Sequence, residues 1–252
     1  RGAIPGSVWV SYDQWRGSAG NPVALPTEAE LNLIIGKSGL RLEQPIAILH
    51  EKGYSFDAGK AAHVYWQLKS MGAERLALLD GGFAAWTAAG LPVEPGPAPM
   101  AREPYAADYE FSDTWRATSS DVAAVVVGRA PGWLLDARPA RVYRQVDRLG
   151  QIVPTTLPGA VNAPVDAAFR TVARAEDLDD ARKRLDTEMR QVPVGWGEAP
   201  VISFGATGEL AALNWFYASE LLGLPDVRLY PESARGWQRE GGGLVGGGEP
   251  GG

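Results

Sequence analysis

The sequence predicts an α/β protein that contains two copies of one domain, each a parallel sheet flanked by helices. Three observations predict it: a Pro-Gly turn, a strand that follows a proline, and a closing tryptophan all occur twice and in the same order. The pairs are 153, 155 and 151 positions apart, and they are Pro5 with Pro158, Pro45 with Pro200, and Trp86 with Trp237. Such constant spacing over about 80 residues indicates an internal duplication.

Each copy contains a strand, a helix and a second strand in the same order. The first strands, Pro45–Leu49 and Pro200–Phe204, are short apolar runs that lead into a loop. Apolar residues then recur at helical spacing, and each helix ends near a glycine, Gly72 or Gly223. The second strands are Leu76–Leu79 and Val227–Tyr230. This order is typical of a parallel sheet covered by helices, and we expect five strands in each sheet.

The repeat also gives the domain boundaries. We expect a first domain at 1–92, a proline-rich linker at 93–112, a second domain at 113–240 and a disordered glycine-rich tail at 241–252. An additional strand, Trp133–Asp136, opens the second copy ahead of its Pro-Gly turn, whereas the first copy starts almost at that turn. We therefore expect the first sheet to lack its opening strand: either the chain is a fragment truncated at its start, or a protein partner covers the exposed backbone groups.

Composition excludes several classes of function. The net charge is -6, from 24 basic and 30 acidic residues, so neither a nucleic acid nor an anionic membrane is expected as a partner. The absence of cysteine excludes disulfides, thiolate metal sites and thiol nucleophiles. With only two histidines, no metal site is expected. The 45% hydrophobic and 21% charged residues are typical of a soluble globular protein, for which we favour the cytoplasm.

Several motifs resemble the tandem rhodaneses. The segments Leu135–Arg138, Leu157–Asn162 and Arg228–Tyr230 with Trp237 are similar to the C-terminal domain of that family, and Ile4–Trp9 and Leu79–Trp86 to its N-terminal domain. The resemblance covers the chain up to about Glu240. It implies transfer of sulfane sulfur from thiosulfate or 3-mercaptopyruvate to a thiol or cyanide, without a cofactor. In that chemistry a cysteine in the strand-to-helix loop of the second domain attacks the donor and holds a persulfide.

This sequence departs from the family at that cysteine. Alignment on the strand before the loop and on Ala211 after it places the nucleophile position at Gly205, which has no side chain to attack a donor. The resemblance implies that backbone N–H groups of this loop bind the anion. The binding loop is Gly205, Ala206, Thr207, Gly208, Glu209 and Leu210. Glu209 adds a carboxylate where a neutral or basic group would better tolerate an anionic donor.

Four other side chains have both a functional and a structural interpretation. Ser203 and Thr207 flank the vacant position: either they act as substitute nucleophiles, or Ser203 faces the sheet and Thr207 bonds its own loop backbone. His50 stands in the corresponding loop of the first copy, either as a catalytic group or as a structural one. Arg138 either recognises an anion or forms an ion pair with Asp136.

Three functional hypotheses remain. The first is a catalytically silent rhodanese homologue that binds a small thiosulfate-like anion, a thiol acceptor or a protein partner. The second is an active sulfurtransferase of which this sequence is a cysteine-lacking variant or an imperfect reading. The third is a structural subunit of a larger assembly, in which a neighbour covers the incomplete first domain.

Overall fold

Apolar runs that follow prolines form parallel strands in both halves of the chain. The computed structural model describes residues 2–51, 53–99, 103–173 and 175–247. The chain divides into two compact units, Arg1–Asp113 and Thr114–Gly252, called unit 1 and unit 2 below. No helix within the described ranges has the length and apolar character needed to cross a membrane.

Unit 1 combines one pair of strands with three helices. A 3₁₀ helix, Tyr12–Trp15, is followed by α1 (Glu28–Ser38), β1 (Ile46–Ile48), α2 (Ser55–Ser70), β2 (Leu76–Leu78) and α3 (Gly82–Ala88). A capping box starts α1, because the Thr27 side chain accepts the Glu30 N–H and the Glu30 carboxylate accepts the Thr27 N–H. The strands β1 and β2 pair in parallel and pack on a core that includes Trp15 and Leu31.

Unit 2 contains a four-stranded parallel sheet with the strand order β4-β3-β5-β6. Its first elements are α4 (Ser119–Val126), β3 (Trp133–Asp136), α5 (Ala140–Tyr143), β4 (Val161–Asn162), α6 (Val165–Val172) and α7 (Leu178–Met189). They are followed by β5 (Val201–Phe204), α8 (Glu209–Trp215), a π-helical segment (Phe216–Leu221), β6 (Val227–Leu229) and α9 (Ser233–Arg239). All four residues of β5 are buried, as expected for an inner strand of a parallel sheet. The α/β class with parallel sheets is thus confirmed.

The closing helices show the duplication at atomic detail. In α3 the indole N–H of Trp86 donates to the carbonyl of Pro92 at 2.8 Å. In α9 the indole N–H of Trp237 donates to the carbonyl of Gly243, also at 2.8 Å. Each tryptophan therefore fixes the chain six residues further on, which gives the recurring residue the same role in both closing helices.

Between two matched pairs of residues, the helix after the first repeated strand has one more residue in unit 2 than in unit 1. Ala61 and Ala211 are 150 positions apart, whereas Gly72 and Gly223 are 151 apart. Both glycines follow their helix with a positive φ, 99° and 64°, as predicted for helix ends. A helix accommodates one extra residue through i→i+5 hydrogen bonds. The π-helical segment Phe216–Leu221 lies between Ala211 and Gly223, where the extra residue falls.

The prediction of five strands in each sheet was wrong. In the part of the chain that the structure describes, unit 1 has two strands and unit 2 has four. A fifth strand only begins in unit 2, where Arg116 forms a parallel bridge with Leu229 and the Ala117 N–H donates to the Leu229 carbonyl at 2.8 Å. It stops there because Thr118 is already the N-cap of α4.

The segment predicted as a surface linker, 93–112, in fact packs onto unit 1 over its described C-terminal part. The Asn32 amide exchanges two hydrogen bonds of 2.8 Å with the backbone of Tyr109. The Tyr105 N–H donates to the Gly36 carbonyl at 3.0 Å, and a Cβ on Gly36 would lie 2.3 Å from the Tyr105 oxygen. Tyr105, Tyr109 and Phe111 contact the core of unit 1, so burial of their rings outweighs solvation of the segment. Residues 100–102 lie outside the described part.

The glycine-rich tail also differs from the prediction of disorder for 241–252. The Val245 N–H donates to the Thr156 carbonyl at 2.8 Å, and the Val245 carbonyl accepts the Thr156 N–H at 3.0 Å. Leu244 packs against the unit 2 core. These two apolar residues supply the contacts that the surrounding glycines cannot make. Residues 248–252 lie outside the described part of the chain.

Candidate functional site

The predicted nucleophile position lies directly after β5. Gly205 is buried and precedes the first residue of α8 by four positions. A Cβ on Gly205 would contact the Ala211 nitrogen at 3.6 Å and would meet nothing closer, and its φ lies outside the left-handed region. A side chain therefore fits at this position without strain, directed at the first turn of the helix.

Helix α9 holds the carbonyl groups of the loop. The Ala234 N–H donates to the Gly205 carbonyl at 3.1 Å, and the Arg235 N–H donates to the Ala206 carbonyl at 3.2 Å. In a trans peptide the carbonyl and the following N–H point in opposite directions. With both carbonyls turned to α9, the N–H groups of Ala206 and Thr207 point away from it.

The result is a run of unused hydrogen-bond donors. Among the described residues, no acceptor is bound by the backbone N–H groups of Ala206, Thr207, Gly208, Leu210 or Ala211. Gly208 has φ 102°, which favours glycine and closes the turn into α8. Successive free N–H groups that lead into a helix form a concave site for an anion. We call Gly205–Ala211 the loop cradle.

The hydroxyl groups beside Gly205 are already engaged. Ser203 Oγ donates to the Ala211 carbonyl at 3.0 Å, and Thr207 Oγ1 donates to Glu209 Oε2 at 2.5 Å. Thr207 thus bonds the carboxylate of Glu209, a residue that is only 7% exposed, and not the loop backbone as predicted. These contacts support a structural role for both hydroxyls.

Arg138 forms an ion pair with Asp136, which is one of the two roles predicted for it from the sequence. Its Nε donates to Asp136 Oδ1 at 2.8 Å, its Nη2 contacts Asp136 Oδ2, and Nη2 also donates to the Thr155 carbonyl at 2.7 Å. Thr156 Oγ1 donates to Asp136 Oδ2 at 2.7 Å. Arg138 is 7% exposed and Asp136 is fully buried, so the pair connects β3 to the segment before β4. Anion binding by Arg138 stays a prediction.

The equivalent loop of unit 1 begins at His50. Its carbonyl accepts the Phe83 N–H at 2.9 Å, which matches the bond from Ala234 to Gly205 in unit 2. His50 therefore occupies the position of Gly205, as the alignment of the strands implies. Lys52, in the same loop, lies outside the described residues. No group of three or more His, Asp or Glu side chains in the described part could hold a metal ion.

Comparison with known proteins gives one consistent group of relatives. The chain is 24% identical to thiosulfate sulfurtransferase of Gallus gallus over 235 residues, which are 93% of this chain and 78% of that protein. It is 26% identical to 3-mercaptopyruvate sulfurtransferase of Rattus norvegicus over 179 residues, 70% of this chain and 57% of that protein. The chain thus spans little more than half of the rat protein's length in that match. No protein-family model matches the chain.

Solved structures agree on the fold. SseA from Escherichia coli, described as a 3-mercaptopyruvate sulfotransferase with the rhodanese fold, matches with a TM-score of 0.70 at 24% identity over 92% of this chain and 83% of that one. The anaerobic ergothioneine biosynthesis enzyme of Chlorobium limicola matches with a TM-score of 0.76 at 18% identity over 99% of this chain and 61% of that one.

The chain is an α/β protein with the rhodanese fold, in which a strand of a parallel sheet leads into the loop cradle. With two parallel-sheet units and with sulfurtransferases as its relatives in sequence, the chain resembles the tandem rhodaneses.

Sequence reasoning missed one residue of the site, Ser233. Its Oγ accepts the Gly205 N–H at 3.0 Å across 28 positions of sequence, and it is completely buried. The alignment of Trp86 with Trp237 already pairs Ser233 with Gly82, so the replacement of a glycine was the available signal.

Proposed function

We propose that this chain is a catalytically silent rhodanese homologue whose loop cradle binds a small sulfur-containing anion, with thiosulfate as the representative ligand. The observation that carries the proposal is the cradle itself: five free N–H groups follow a position that has room for a side chain but holds glycine, and the nitrogen of one of them, Ala211, lies 3.6 Å from a Cβ placed there. Binding of an anion needs only these donors. Formation of a persulfide also needs a thiol, and the chain has none.

The test restores the thiol. In thiosulfate:cyanide sulfur transfer, a thiolate attacks the outer sulfur of thiosulfate, the S–S bond breaks and sulfite leaves; cyanide then takes the outer sulfur from the persulfide as thiocyanate. We expect no thiocyanate from the chain itself and measurable turnover from Gly205→Cys. The matched control is Gly205→Ser, which fills the same space without a thiol and should remain inactive.

Either of two results would reject the proposal. Turnover by the unmodified chain would require a different nucleophile and would favour an active enzyme. Absence of both turnover by Gly205→Cys and thiosulfate binding by the unmodified chain in calorimetry would mean that the loop is not an anion site.

A second candidate, a subunit of an assembly, is favoured by the open edge of β1. In the register of β1 with β2, Ile46 and Ile48 bond to β2, so the N–H and C=O of Ala47 face the opposite edge. The corresponding residue of unit 2, Ile202, lies between β3 and β6 and is 2% exposed, whereas Ala47 is exposed. A native mass above 26.9 kDa that falls to the monomer value in Ala47→Pro would support a strand partner at this edge. A monomer at all concentrations would exclude self-association there.

A further inference from the structure

Ser233 has a backbone conformation that glycine adopts far more easily. Its φ is 55°, in the left-handed region, and the residue is fully buried at the start of α9. At the equivalent position in unit 1 the chain uses Gly82, with φ 59°. Both units therefore need the same turn, and only unit 2 accepts the strain of a side chain in it.

The left-handed conformation directs the side chain at the start of the loop. In unit 1 a Cβ on Gly82 would lie 2.3 Å from the His50 carbonyl oxygen, so there is no space for a larger residue. In unit 2 the same direction brings Ser233 Oγ to 3.0 Å from the Gly205 nitrogen, where it accepts the N–H. The hydroxyl donates its own proton to the Tyr230 carbonyl at 3.1 Å.

We infer that Ser233 is a positioning residue of the loop cradle. It fixes the peptide between Phe204 and residue 205, so that a side chain at position 205 points towards the free N–H groups. This inference rests on the proposed function of the cradle. It assigns to Ser233 a role that Gly82 does not have in unit 1.

Two bonds on opposite sides hold that peptide. The Phe204 carbonyl accepts the N–H of Ala137, the residue after β3, at 2.9 Å, while the Gly205 N–H donates to Ser233. The plane of the peptide between Phe204 and Gly205 is thereby fixed, and with it the direction in which a Cβ on Gly205 points. That direction leads to the Ala211 nitrogen at 3.6 Å. Without the hydroxyl, the N–H would be buried with no acceptor and the peptide would rotate to find one.

The thiol pKa of Gly205→Cys reports this geometry without any turnover. Because the chain has no cysteine, the variant carries a single thiol, and its alkylation rate with iodoacetamide against pH gives the thiol pKa. We expect the cradle to lower this pKa at least about one unit below the ordinary value of about 8.5. Adding Ser233→Gly should raise it by about one unit, which is about tenfold less thiolate at neutral pH.

The controls separate positioning from folding. Ser119→Ala in the Gly205→Cys background removes a hydroxyl that hydrogen-bonds the phenolic oxygen of Tyr230 at 2.9 Å. Ser233 bonds the backbone carbonyl of the same tyrosine, so Ser119→Ala should leave the thiol pKa unchanged. Circular dichroism should show that all variants are folded. A purely structural role for Ser233 predicts lower thermal stability with an unchanged thiol pKa, which would overturn the inference.

Failure of the inference differs from failure of the proposed function. A lowered thiol pKa that persists after Ser233→Gly overturns the role of Ser233 and leaves the cradle intact. An ordinary thiol pKa in Gly205→Cys itself overturns both. If Ser233→Gly raises the thiol pKa although Gly205→Cys transfers no sulfur, the inference is supported. The missing activity is then due to lost binding of the sulfur donor and not to lost activation of the thiol.

Discussion

The two units leave their first repeated strand in the same way and enter the next helix differently. In both, the closing helix donates an N–H to the carbonyl of the first loop residue, His50 or Gly205. Ala61 and Ala211 are equivalent residues of the helices that follow. Helix α2 begins six residues before Ala61, whereas α8 begins only two residues before Ala211. An additional helical turn therefore occupies in unit 1 the part of the chain that forms the cradle in unit 2.

This difference separates the features that both copies of the domain share from those that only unit 2 has. The strand pairing and the bond to the closing helix occur in both units, since each unit needs them to pack its helices on its sheet. The short loop and the serine that replaces a glycine occur only in unit 2. We therefore expect any functional difference between the units to lie where their residues differ at the same bend of the chain.

The largest effect should come from placing a thiol in each loop. We expect Gly205→Cys to give thiocyanate from thiosulfate and cyanide, and His50→Cys to give none, because the Ser233 hydroxyl that accepts the Gly205 N–H has no counterpart at Gly82. The measurement is thiocyanate formation by the two variants at equal concentration. Equal rates would show that the loops are functionally equivalent and would remove the basis of the comparison.

The next effect concerns the buried ion pair of unit 2. Arg138→Ala should lower the free energy of unfolding by about 3–5 kcal/mol, because it leaves the buried Asp136 carboxylate without its cation. Urea unfolding measures the change. The matched control, Arg190→Ala, removes the exposed pair with Asp186 and should leave stability unchanged within error. A similar small change for both would mean that solvent reaches Asp136.

The open edge of unit 1 gives a third comparison. Ile202→Ala removes a buried side chain from the middle of the unit 2 sheet and should cost about 2–5 kcal/mol in unfolding free energy. Ala47→Lys, at the equivalent and exposed position of β1, should change it by less than about 0.5 kcal/mol. A large loss in Ala47→Lys would indicate that the edge is covered in solution.

The smallest effect on stability should come from lowering the pH. His63 is fully buried in α2, and burial, with a contribution from Arg16, holds its pKa well below the usual value. Unit 2 has Leu213 at the equivalent position. Below about pH 6.5 the unfolded chain takes up a proton that native His63 does not, so stability falls as the pH decreases.

His63→Leu should remove this contribution, which amounts to up to about 1.4 kcal/mol per pH unit below pH 6.5. Urea unfolding at pH 7, 6 and 5 measures it. His50→Gln is the control, because it removes the other histidine of the chain and should keep the steeper dependence. The same slope in His63→Leu and the unmodified chain would show that His63 is protonated in the native state.

Most of the fold was predictable because its signals are local. Apolar runs after Pro45 and Pro200, and the tryptophans that end each unit, all act within one strand or one turn of helix. The predictions that failed depended on contacts between distant segments. The fifth strand of unit 2 ends after Arg116 because a helix cap follows, and the supposed linker packs on unit 1 because Gly36 allows the backbone of Tyr105 to approach.

The candidate site shows the same division. Its position was predictable, because the strand, the loop and the following helix are adjacent in sequence. Its geometry was not, because Ser233 and Arg235 reach the loop from α9. The role of Arg138 was not predictable either, since a guanidinium near a strand end can bind a ligand or a neighbouring residue. Only the fold shows that it binds Asp136 and Thr155.

By itself, the sequence determined the α/β class, the duplication and the lack of a thiol at position 205, since composition and periodicity are properties of the chain alone. Only the tertiary structure decided how many strands pair, which segments pack on which unit, and which donors of the loop remain free. Those features depend on hydrogen-bond partners that become neighbours when the chain folds, and spacing along the sequence carries no record of them.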